Sequence, residues 1–125
     1  MTTPSEIKIH KKSATLELLY EDGSSHTLRA EYLRVFSPSA EVQGHSPTQA
    51  VLQFGKRNVQ FRDIEPQGHY AIKIVFSDGH DSGIFSWEYL KSLAINEAEN
   101  WASYLLKLQQ AGKSRDSQFI KINST

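Results

Sequence analysis

The sequence predicts an α+β fold, namely a small antiparallel sheet of hairpins with two C-terminal helices packed on one face as a two-layer sandwich. Asp-Gly pairs at residues 22–23 and 78–79 follow stretches of alternating apolar residues, a combination that is typical of β-hairpins. Nearer the C-terminal end, apolar residues recur at helical spacing. The 125 residues, of which 38% are hydrophobic, suffice for one core. We therefore predict one domain over residues 1–112 and a polar tail over residues 113–125.

The first hairpin unit is predicted from a strand with one apolar face. Leu16, Leu18 and Tyr20 recur at a spacing of two, so this face is expected to be buried. The Asp-Gly pair that follows tolerates the positive φ angles of a tight turn, and the chain then returns as a partner strand. The predicted elements are strands over residues 7–9, 15–20 and 27–30, and a short helical turn over residues 31–34.

A long segment without regular periodicity separates the two hairpin units. Residues 37–53 contain Pro38, Gly44 and Pro47, and we predict an ordered loop that has a function or folds back on the core. Beyond it, alternating apolar residues resume and predict a second hairpin unit. Its elements are strands over residues 59–64, 70–76 and 83–85, with a turn over residues 66–68.

Two helices are predicted to complete the domain. Ser86 is a suitable N-cap for a helix over residues 87–94. Asn96, with Glu99 three residues later, resembles a capping box that begins a second helix, which is expected to end near Gly112. The apolar stripe by which this helix is expected to pack on the sheet comprises Ala98, Trp101, Leu105 and Leu108.

The two hairpin units are similar in sequence. Residues 16–23 align without a gap with residues 72–79, and the Glu-Tyr-Leu-Arg of residues 31–34 pairs with the Glu-Tyr-Leu-Lys of residues 88–91 after one inserted residue. Duplication of an ancestral unit and convergence on the same hairpin chemistry both explain this likeness. In either case, we predict a pair of similar units that share one layer of sheet.

Composition argues against several classes of function. The 14 basic and 14 acidic side chains cancel, so the long-range positive field that favours nucleic acid or anionic membranes is missing. The absence of cysteine excludes a disulfide, a thiolate metal site and a cysteine nucleophile. A polar N-terminus and the lack of a long apolar run predict neither a signal peptide nor a membrane span. We expect a cytoplasmic protein that binds neither nucleic acid nor membrane.

Two segments carry a resemblance to a known family. Residues 33–42 (Leu-Arg-Val-Phe-Ser-Pro-Ser-Ala-Glu-Val) and residues 68–90, with Gly-x-Tyr-Ala, Asp-Gly-His and a later Tyr-Leu, are similar to the γ-butyrobetaine-hydroxylase-like N-terminal domain family. The domain occurs there as a stand-alone bacterial protein of unknown function, as the front of the hydroxylase, and attached to Mrp-type P-loop iron–sulfur cluster carriers. The resemblance does not imply hydroxylase activity, because the hydroxylase's iron and 2-oxoglutarate ligands belong to a separate catalytic domain.

The resemblance also implies a place for a metal ion. In the hydroxylases, a Cys-Pro-Cys-x-x-Cys loop and one histidine hold a structural zinc. Here Ser37, Ser39 and Val42 stand at the cysteine positions, and His80 stands at the histidine position. A serine hydroxyl stays protonated near neutral pH and valine has no lone pair, so three of the four ligands are lost. We therefore predict no zinc and no other cofactor.

His80 is the strongest candidate for a chemical role among the five histidines. Together with Asp78 and with His45 from the long loop, it could bind a metal ion or a small ligand. The alternative is a structural role, in which His80 is hydrogen-bonded to the turn and to the loop at Ser37 in place of the zinc. We favour the structural role, because polar side chains beside turns commonly satisfy backbone groups.

Other candidates for chemistry have simpler explanations. Ser37 and Ser39 lie outside any Gly-x-Ser-x-Gly motif and are expected to cap the loop. The Gly-Lys-Arg-Asn of residues 55–58 lacks the glycine spacing of a P-loop and is expected to be a solvated connection. An aromatic binding face is a further possibility, although Trp101 is expected in the core. The residues of that face would be Trp87, Tyr89, Trp101 and Tyr104.

The function that we predict is a non-catalytic protein-interaction or accessory module, which the family likeness links to iron–sulfur cluster carriers. We expect no enzymatic activity, no catalytic residue, no cofactor and no metal, and an unidentified protein as the partner. Two alternatives stay open: a small-ligand or metal-binding domain that uses His80 and His45, and an enzyme without a recognisable motif. The predicted interaction surface comprises Ser37, Pro38, Ser39, Glu41, His45, Asp78, Gly79, His80 and Asp81.

Overall fold

The structure, a computed structural model, describes residues 2–116, and residues 117–125 of the predicted tail lie outside this range. The predicted α+β class is confirmed, with antiparallel hairpins followed by two C-terminal helices. In chain order, the elements are β1 (Glu6–His10), β2 (Thr15–Leu19), β3 (Ser25–Arg29), α1 (Ala30–Val35), α2 (Ala40–Gln43), a 3-10 turn (Pro47–Gln49), β4 (Phe61–Gln67), β5 (Ala71–Phe76), β6 (Gly83–Ser86), α3 (Trp87–Ile95) and α4 (Glu97–Ala111).

The strands form two antiparallel sheets of three strands each, in the orders β1-β2-β3 and β4-β5-β6. The sequence predicts a single layer of sheet, whereas each hairpin unit builds a sheet of its own. The reason is that the central strand of each unit is hydrogen-bonded on both sides within that unit. Leu16 pairs with Leu28 in the first sheet, and Ile72 pairs with Phe85 in the second.

The turns of the two units have the same hydrogen bonds. The N–H of Tyr20 donates to the carbonyl of Ser24 over 3.0 Å, and the N–H of Phe76 donates to the carbonyl of His80 over 2.9 Å. In each turn an aspartate Oδ1 accepts from the N–H two residues later, over 2.9 and 3.2 Å. The glycines of the two Asp-Gly pairs have φ angles of 88° and 92°, which only glycine adopts without strain. His80 is therefore the structural counterpart of Ser24.

The tyrosines of the two Glu-Tyr-Leu motifs link the units reciprocally. Tyr32 of α1 donates its hydroxyl to the carbonyl of Leu93 over 2.6 Å, and Tyr89 of α3 donates its hydroxyl to the carbonyl of Phe36 over 2.5 Å. Each acceptor lies four residues after the other tyrosine, so the two bonds are exchanged by an approximate twofold relation. The predicted pair of similar units is confirmed, and this exchange, which hairpin chemistry does not require, favours duplication over convergence.

One core joins the sheets to α1 and α3. Leu16 and Leu18 of β2 are fully buried, as their spacing predicts. Ile72, Ile74 and Phe76 of β5 occupy the equivalent positions in the second unit and belong to the same cluster. Burying each such side chain stabilises the fold by roughly 1.5–3 kcal/mol, so this core holds the units together.

β4 and the turn that follows it differ from the prediction. The strand continues through Pro66, which lies opposite Ile72, although a turn is predicted at residues 66–68. Because β4 is at the edge of its sheet, a proline without an N–H is tolerated there. The turn therefore begins later, at Gly68, whose φ is 57°.

The caps of the C-terminal helices confirm one prediction and correct another. The Ser86 Oγ accepts from the N–H of Tyr89 over 3.1 Å and caps α3 as predicted. The capping box at Asn96 is wrong, because its side chain instead donates to the carbonyl of Ser92 over 3.0 Å and so serves the end of α3. Gly112 ends α4 in the left-handed conformation, as predicted.

The buried stripe of α4 also differs from the prediction. Tyr104 and Leu108 are 3% and 4% exposed, whereas Leu105 is 41% exposed and Ala98 lies at the surface. Trp101 packs against the core as predicted. The helix thus contacts the domain along a narrower arc than the spacing of apolar residues implies. None of the helices within residues 2–116 has the length and apolar character to cross a membrane.

The chain beyond α4 packs back onto the domain. The N–H of Gly55 donates to the carbonyl of Ser114 over 2.9 Å. The guanidinium of Arg115 donates to both carboxylate oxygens of Glu31 over 2.7 and 2.8 Å, and Glu31 is only 5% exposed. The folded domain therefore extends at least to residue 116 instead of ending at residue 112.

Candidate functional site

The loop that begins at Ser37 and the turn that carries His80 meet in the structure. The Ser37 Oγ lies 2.8 Å from the His80 Nε2, and the two residues are 0% and 6% exposed. The other ring nitrogen, Nδ1, lies 3.5 Å from a carboxylate oxygen of Glu41. The predicted hydrogen bond between His80 and the loop at Ser37 is present.

A second pair of hydrogen bonds runs beside the first. The Ser82 Oγ donates to Glu41 Oε1 over 2.8 Å and lies 2.7 Å from the Ser39 Oγ, so Ser39 is the donor of the latter bond. The Ser39 Oγ also accepts from the N–H of Glu41 over 3.1 Å and thereby caps α2. We refer to Ser37, Ser39, Glu41, His80 and Ser82 together as the Ser37–His80 network. It ties the loop to the turn by four side-chain contacts.

The carboxylate of Asp78 anchors the same turn through two cations. Its Oδ2 lies 2.8 Å from Nε of Arg34 and 2.6 Å from Nζ of Lys56. Partial burial raises the pKa of Asp78, but the hydrogen bonds from Lys56 and from the His80 backbone, and the charge of Arg34, outweigh it and lower the pKa to about 2. Asp78 is therefore ionised at physiological pH, and the positive charges of Arg34 and Lys56 balance its charge.

His80 is neutral in this environment. Burial, and then the positive charge of Arg34, lower the pKa of His80 below its usual 6.5. A neutral ring with its proton on Nδ1, facing Glu41, leaves Nε2 to accept from the Ser37 hydroxyl, which is consistent with both distances.

The start of β6 requires a glycine at position 83, because the Ser37 side chain lies close to the backbone there. A Cβ at this position would lie 2.5 Å from the Ser37 Oγ and 3.1 Å from a ring carbon of Phe85. Any side chain would push the serine off its histidine. This glycine is therefore part of the reason that the loop can close on the turn.

Ser37, His80 and Glu41 have the connectivity of a serine–histidine–acid triad, and their burial decides how this is interpreted. A catalytic serine must present its hydroxyl to a substrate carbonyl. Ser37 is completely buried, and its Oγ packs against the backbone at Gly83. In the described structure this hydroxyl is therefore not accessible to a substrate.

The residues present do not fit a zinc ion of the kind that the resemblance implies. Ser37 and Ser39 offer neutral hydroxyls that are already hydrogen-bonded, Val42 is buried and apolar, and the His80 Nε2 faces Ser37. Within residues 2–116, no three histidine, aspartate or glutamate side chains are grouped to hold a metal. His45 lies in an exposed bend, where its N–H donates to Gln49 Oε1 over 3.0 Å.

The predicted interaction surface divides into a buried and an exposed part. Ser37, Ser39 and His80 are at most 6% exposed, so they cannot contact a partner directly, and their inclusion in the surface is corrected. We call the accessible remainder the partner surface. Asp78 borders it, and its own residues are Pro38, which is half-buried, and Glu41, His45, Gly79 and Asp81, which are exposed.

The other sequence candidates have structural roles. Lys56 is bound to Asp78, and Arg57 forms an ion pair with Asp116, which agrees with a connecting loop rather than a phosphate site. The four aromatic residues of the possible binding face pack on the cores instead; they are Trp87, Tyr89, Trp101 and Tyr104.

Three residues of the site were not predicted from the sequence, namely Arg34, Ser82 and Gly83. Arg34 is 44 residues from its partner Asp78, and Ser82 is 43 residues from its partner Ser39, so only the fold brings these pairs together. The second hairpin could have indicated Ser82, since it is close to the Asp-Gly-His segment.

Acid is expected to destabilise the domain partly through Asp78. The folded pKa of about 2 lies below the ordinary 3.8, so this carboxylate stabilises the fold above pH 3.8, and the contribution is lost as the pH falls from 3.8 to 2. Allowing for partial exposure, we expect Asp78→Asn to lower the free energy of unfolding by about 1–2 kcal/mol at neutral pH. The variant should also lose less stability than the native chain as the pH falls, so the acid limb of its curve of stability against pH is flatter. Urea unfolding across this pH range measures both effects.

Asp81→Asn is the matched control, because Asp81 is an exposed acid of the same turn. It is expected to leave the acid limb as steep as in the native chain. His80 adds a separate fall in stability below pH 6.5, since its lowered pKa means that the unfolded chain takes up a proton first. Parallel pH curves for the native chain and Asp78→Asn would contradict the role of Asp78.

Comparison with known proteins identifies relatives of this architecture. The family model for "Gamma-butyrobetaine hydroxylase-like, N-terminal" matches residues 7–91. No curated protein matches the chain. Among solved structures, the chain is similar to one NMR solution structure at 53% identity, over 96% of this chain and 94% of the other, with a TM-score of 0.79. It is similar to a second NMR structure at 42% identity, over 97% and 90% of the chains, with a TM-score of 0.77.

A crystal structure from Acidithiobacillus ferrooxidans is also similar. That protein, of unknown function and from the DUF971 family, is 39% identical over 74% of this chain and 93% of its own, with a TM-score of 0.62. The resemblance that the Asp-Gly-His segment and the Ser37 loop indicate is thus confirmed. The chain belongs to the gamma-butyrobetaine hydroxylase-like, N-terminal family.

Proposed function

We propose that this domain is a non-catalytic protein-interaction or accessory module of the cytoplasm, which binds a partner protein through the partner surface. The observation that carries the proposal is the Ser37–His80 network. Within it, the hydroxyls of Ser37 and Ser39 and the ring of His80 are buried and hydrogen-bonded, so they are unsuited to chemistry on a substrate. They are well suited to holding the loop and the turn in one conformation.

A rigid surface favours binding because little conformational entropy is lost on association. The ion pairs of Asp78 with Arg34 and Lys56 hold the turn in place. Ser39, which caps α2, holds the loop in place. Glu41, His45 and Asp81 are left exposed above this frame. They present two carboxylates and an imidazole ring, and polar side chains of this kind are typical of the rim of a protein interface.

The family resemblance supports one class of partner. Members attached to Mrp-type P-loop carriers place this domain beside an iron–sulfur cluster protein. The present chain has no cysteine, so it would assist such a carrier without holding the cluster itself. This link is a family association, and a purified carrier of that type is therefore the first partner to test.

The double variant Asp81→Arg/His45→Ala is expected to lose binding. The tagged native chain should enrich a partner from host cytosol, and a purified Mrp-type carrier should bind it in calorimetry. Because both changes lie on the partner surface and one reverses a charge, we expect the affinity to fall by about tenfold or more.

Glu21→Arg/His69→Ala is the matched control, since it likewise changes one acidic residue and one histidine at exposed positions outside the partner surface. It should bind as the native chain does. Equal binding by both double variants would contradict the proposal. So would a pull-down in which the native chain enriches no protein relative to Asp81→Arg/His45→Ala.

A further inference from the structure

A cleft of about 470 Å³ lies between the loop wall over residues 42–53 and α4. This volume is within the range of small-molecule sites. The apolar side chains that line it come from α1, α2 and the loop, and include Val35, Val42 and Leu52. Because three separate segments contribute, the cleft is a product of the tertiary fold.

Hydrogen bonds hold the loop wall of the cleft in place. The N–H of Val51 donates to the carbonyl of Val42 over 2.8 Å. The carbonyl of Gln53 accepts from the Tyr104 hydroxyl over 2.8 Å, and its side-chain oxygen accepts from Arg34 over 3.0 Å. The wall is therefore preformed, which lowers the entropic cost of binding a ligand.

One side of α4 supplies polar groups to the cleft. Asn100, Ser103 and Lys107 recur at helical spacing and all line it. Lys107 is the charged residue of the lining, which includes no acidic side chain. Its ammonium group forms no ion pair with any residue from 2 to 116. A cation beside apolar walls is complementary to a ligand with an apolar body and one negative charge.

We propose that this cleft binds a small amphipathic carboxylate. The apolar body packs on Phe36, Val51 and Leu52, which are the less buried large apolar residues of the lining. The carboxylate pairs with the Lys107 ammonium, with Ser103 as a neighbouring hydrogen-bond donor. The cleft is separate from the partner surface, although α2 contributes to both. Ligand binding and partner binding can therefore be tested with different variants.

Octanoate and octan-1-ol are suitable probes because they share an apolar chain and differ in charge. In an NMR titration of the full chain, octanoate is expected to shift the backbone amides of residues 51–53 and 103–107. Since a partly screened ion pair contributes about 1 kcal/mol, octanoate should bind about fivefold more tightly than octanol. Lys107→Gln should remove this difference and leave octanol binding unchanged.

Two further variants complete the test. Val51 is 55% exposed and lines the cleft, so Val51→Asp should weaken both probes without unfolding the chain. Lys8→Gln removes an exposed lysine of β1 outside the cleft and should change neither. If octanoate shifts none of these amides at any point of the titration, the proposal is overturned. Equal affinity for the two probes, or no effect of Lys107→Gln, also overturns it and indicates an uncharged apolar occupant.

Discussion

Arg115→Ala is expected to lower the free energy of unfolding by about 3 kcal/mol, which corresponds to a fall in Tm of about 10 °C. The guanidinium donates two hydrogen bonds to Glu31, whose residue is 5% exposed. Its removal leaves a buried carboxylate without its cation. It also removes the packing of the guanidinium over the ring of Trp101, 5.2 Å from the centroid. Chemical and thermal unfolding measure the loss.

Three further variants distinguish the loss of the buried Arg115–Glu31 pair from the effect of removing any arginine. Arg57→Ala removes an ion pair whose arginine side chain is 44% exposed, and is expected to cost less than about 0.5 kcal/mol. Arg115→Lys keeps the charge but not the two-pronged geometry, so its loss should be intermediate. In the Arg115→Ala background, Glu31→Gln should restore part of the stability by removing the buried charge.

The same pair bears on where the domain ends. A chain that stops after Gly112 loses Arg115 together with the backbone bonds of residues 114 and 115, so it should be at least as destabilised as Arg115→Ala. If the chain that stops after Gly112 were as stable as the native chain, the segment over residues 113–116 would contribute nothing, and the predicted boundary at residue 112 would stand.

His80→Ala is expected to cost about 2–3 kcal/mol. The change leaves the proton of the fully buried Ser37 hydroxyl without its acceptor, although the Ser37 Oγ still accepts from the Ser39 N–H. It also creates a cavity beside Phe76, whose ring centroid is 6.0 Å from that of the histidine. His26→Ala is the control, because His26 is half-buried in the first unit and outside the Ser37–His80 network. Urea unfolding of the two variants gives the comparison, and equal losses would argue against a special role for His80.

The strands and turns were predictable because their signals are local. The alternation of Leu16, Leu18 and Tyr20 and the two Asp-Gly pairs depend only on neighbouring residues, and the structure confirms them. The pairing of strands into two sheets depends on which edges meet, and no local pattern encodes that choice. Likewise, Pro66 indicates a turn locally, whereas its position on an edge strand allows the strand to continue.

The helices show the same limit in a different form. Helical spacing identifies α4, but Leu105 and Tyr104 lie on adjacent sides of it, and the tertiary contacts of the helix decide which is buried. Asn96 has the composition of an N-cap, yet a helix ends immediately before it and takes its side chain. The first error concerns which side of a helix is buried, and the second concerns which of two helices the Asn96 side chain serves; neither is encoded by the local pattern.

The candidate site was predictable in part. The Asp-Gly-His segment and the serine loop led to the Ser37–His80 contact, because a serine hydroxyl and a histidine ring at adjoining positions can hydrogen-bond to each other. Their burial was not predictable, since it depends on the close approach that Gly83 permits and on the contacts between the loop and the turn. The cleft beside α4 has only the weak signal of three polar residues at helical spacing, Asn100, Ser103 and Lys107.

The central claim is that the Ser37–His80 network is a structural link and neither a metal site nor a catalytic one. Its most direct test is the coupling free energy between Ser37 and His80, from urea unfolding of the native chain, Ser37→Ala, His80→Ala and the double variant, with and without excess chelator. We predict a coupling of about 1 kcal/mol that the chelator leaves unchanged. A coupling near zero, or a native chain destabilised by the chelator, would contradict it.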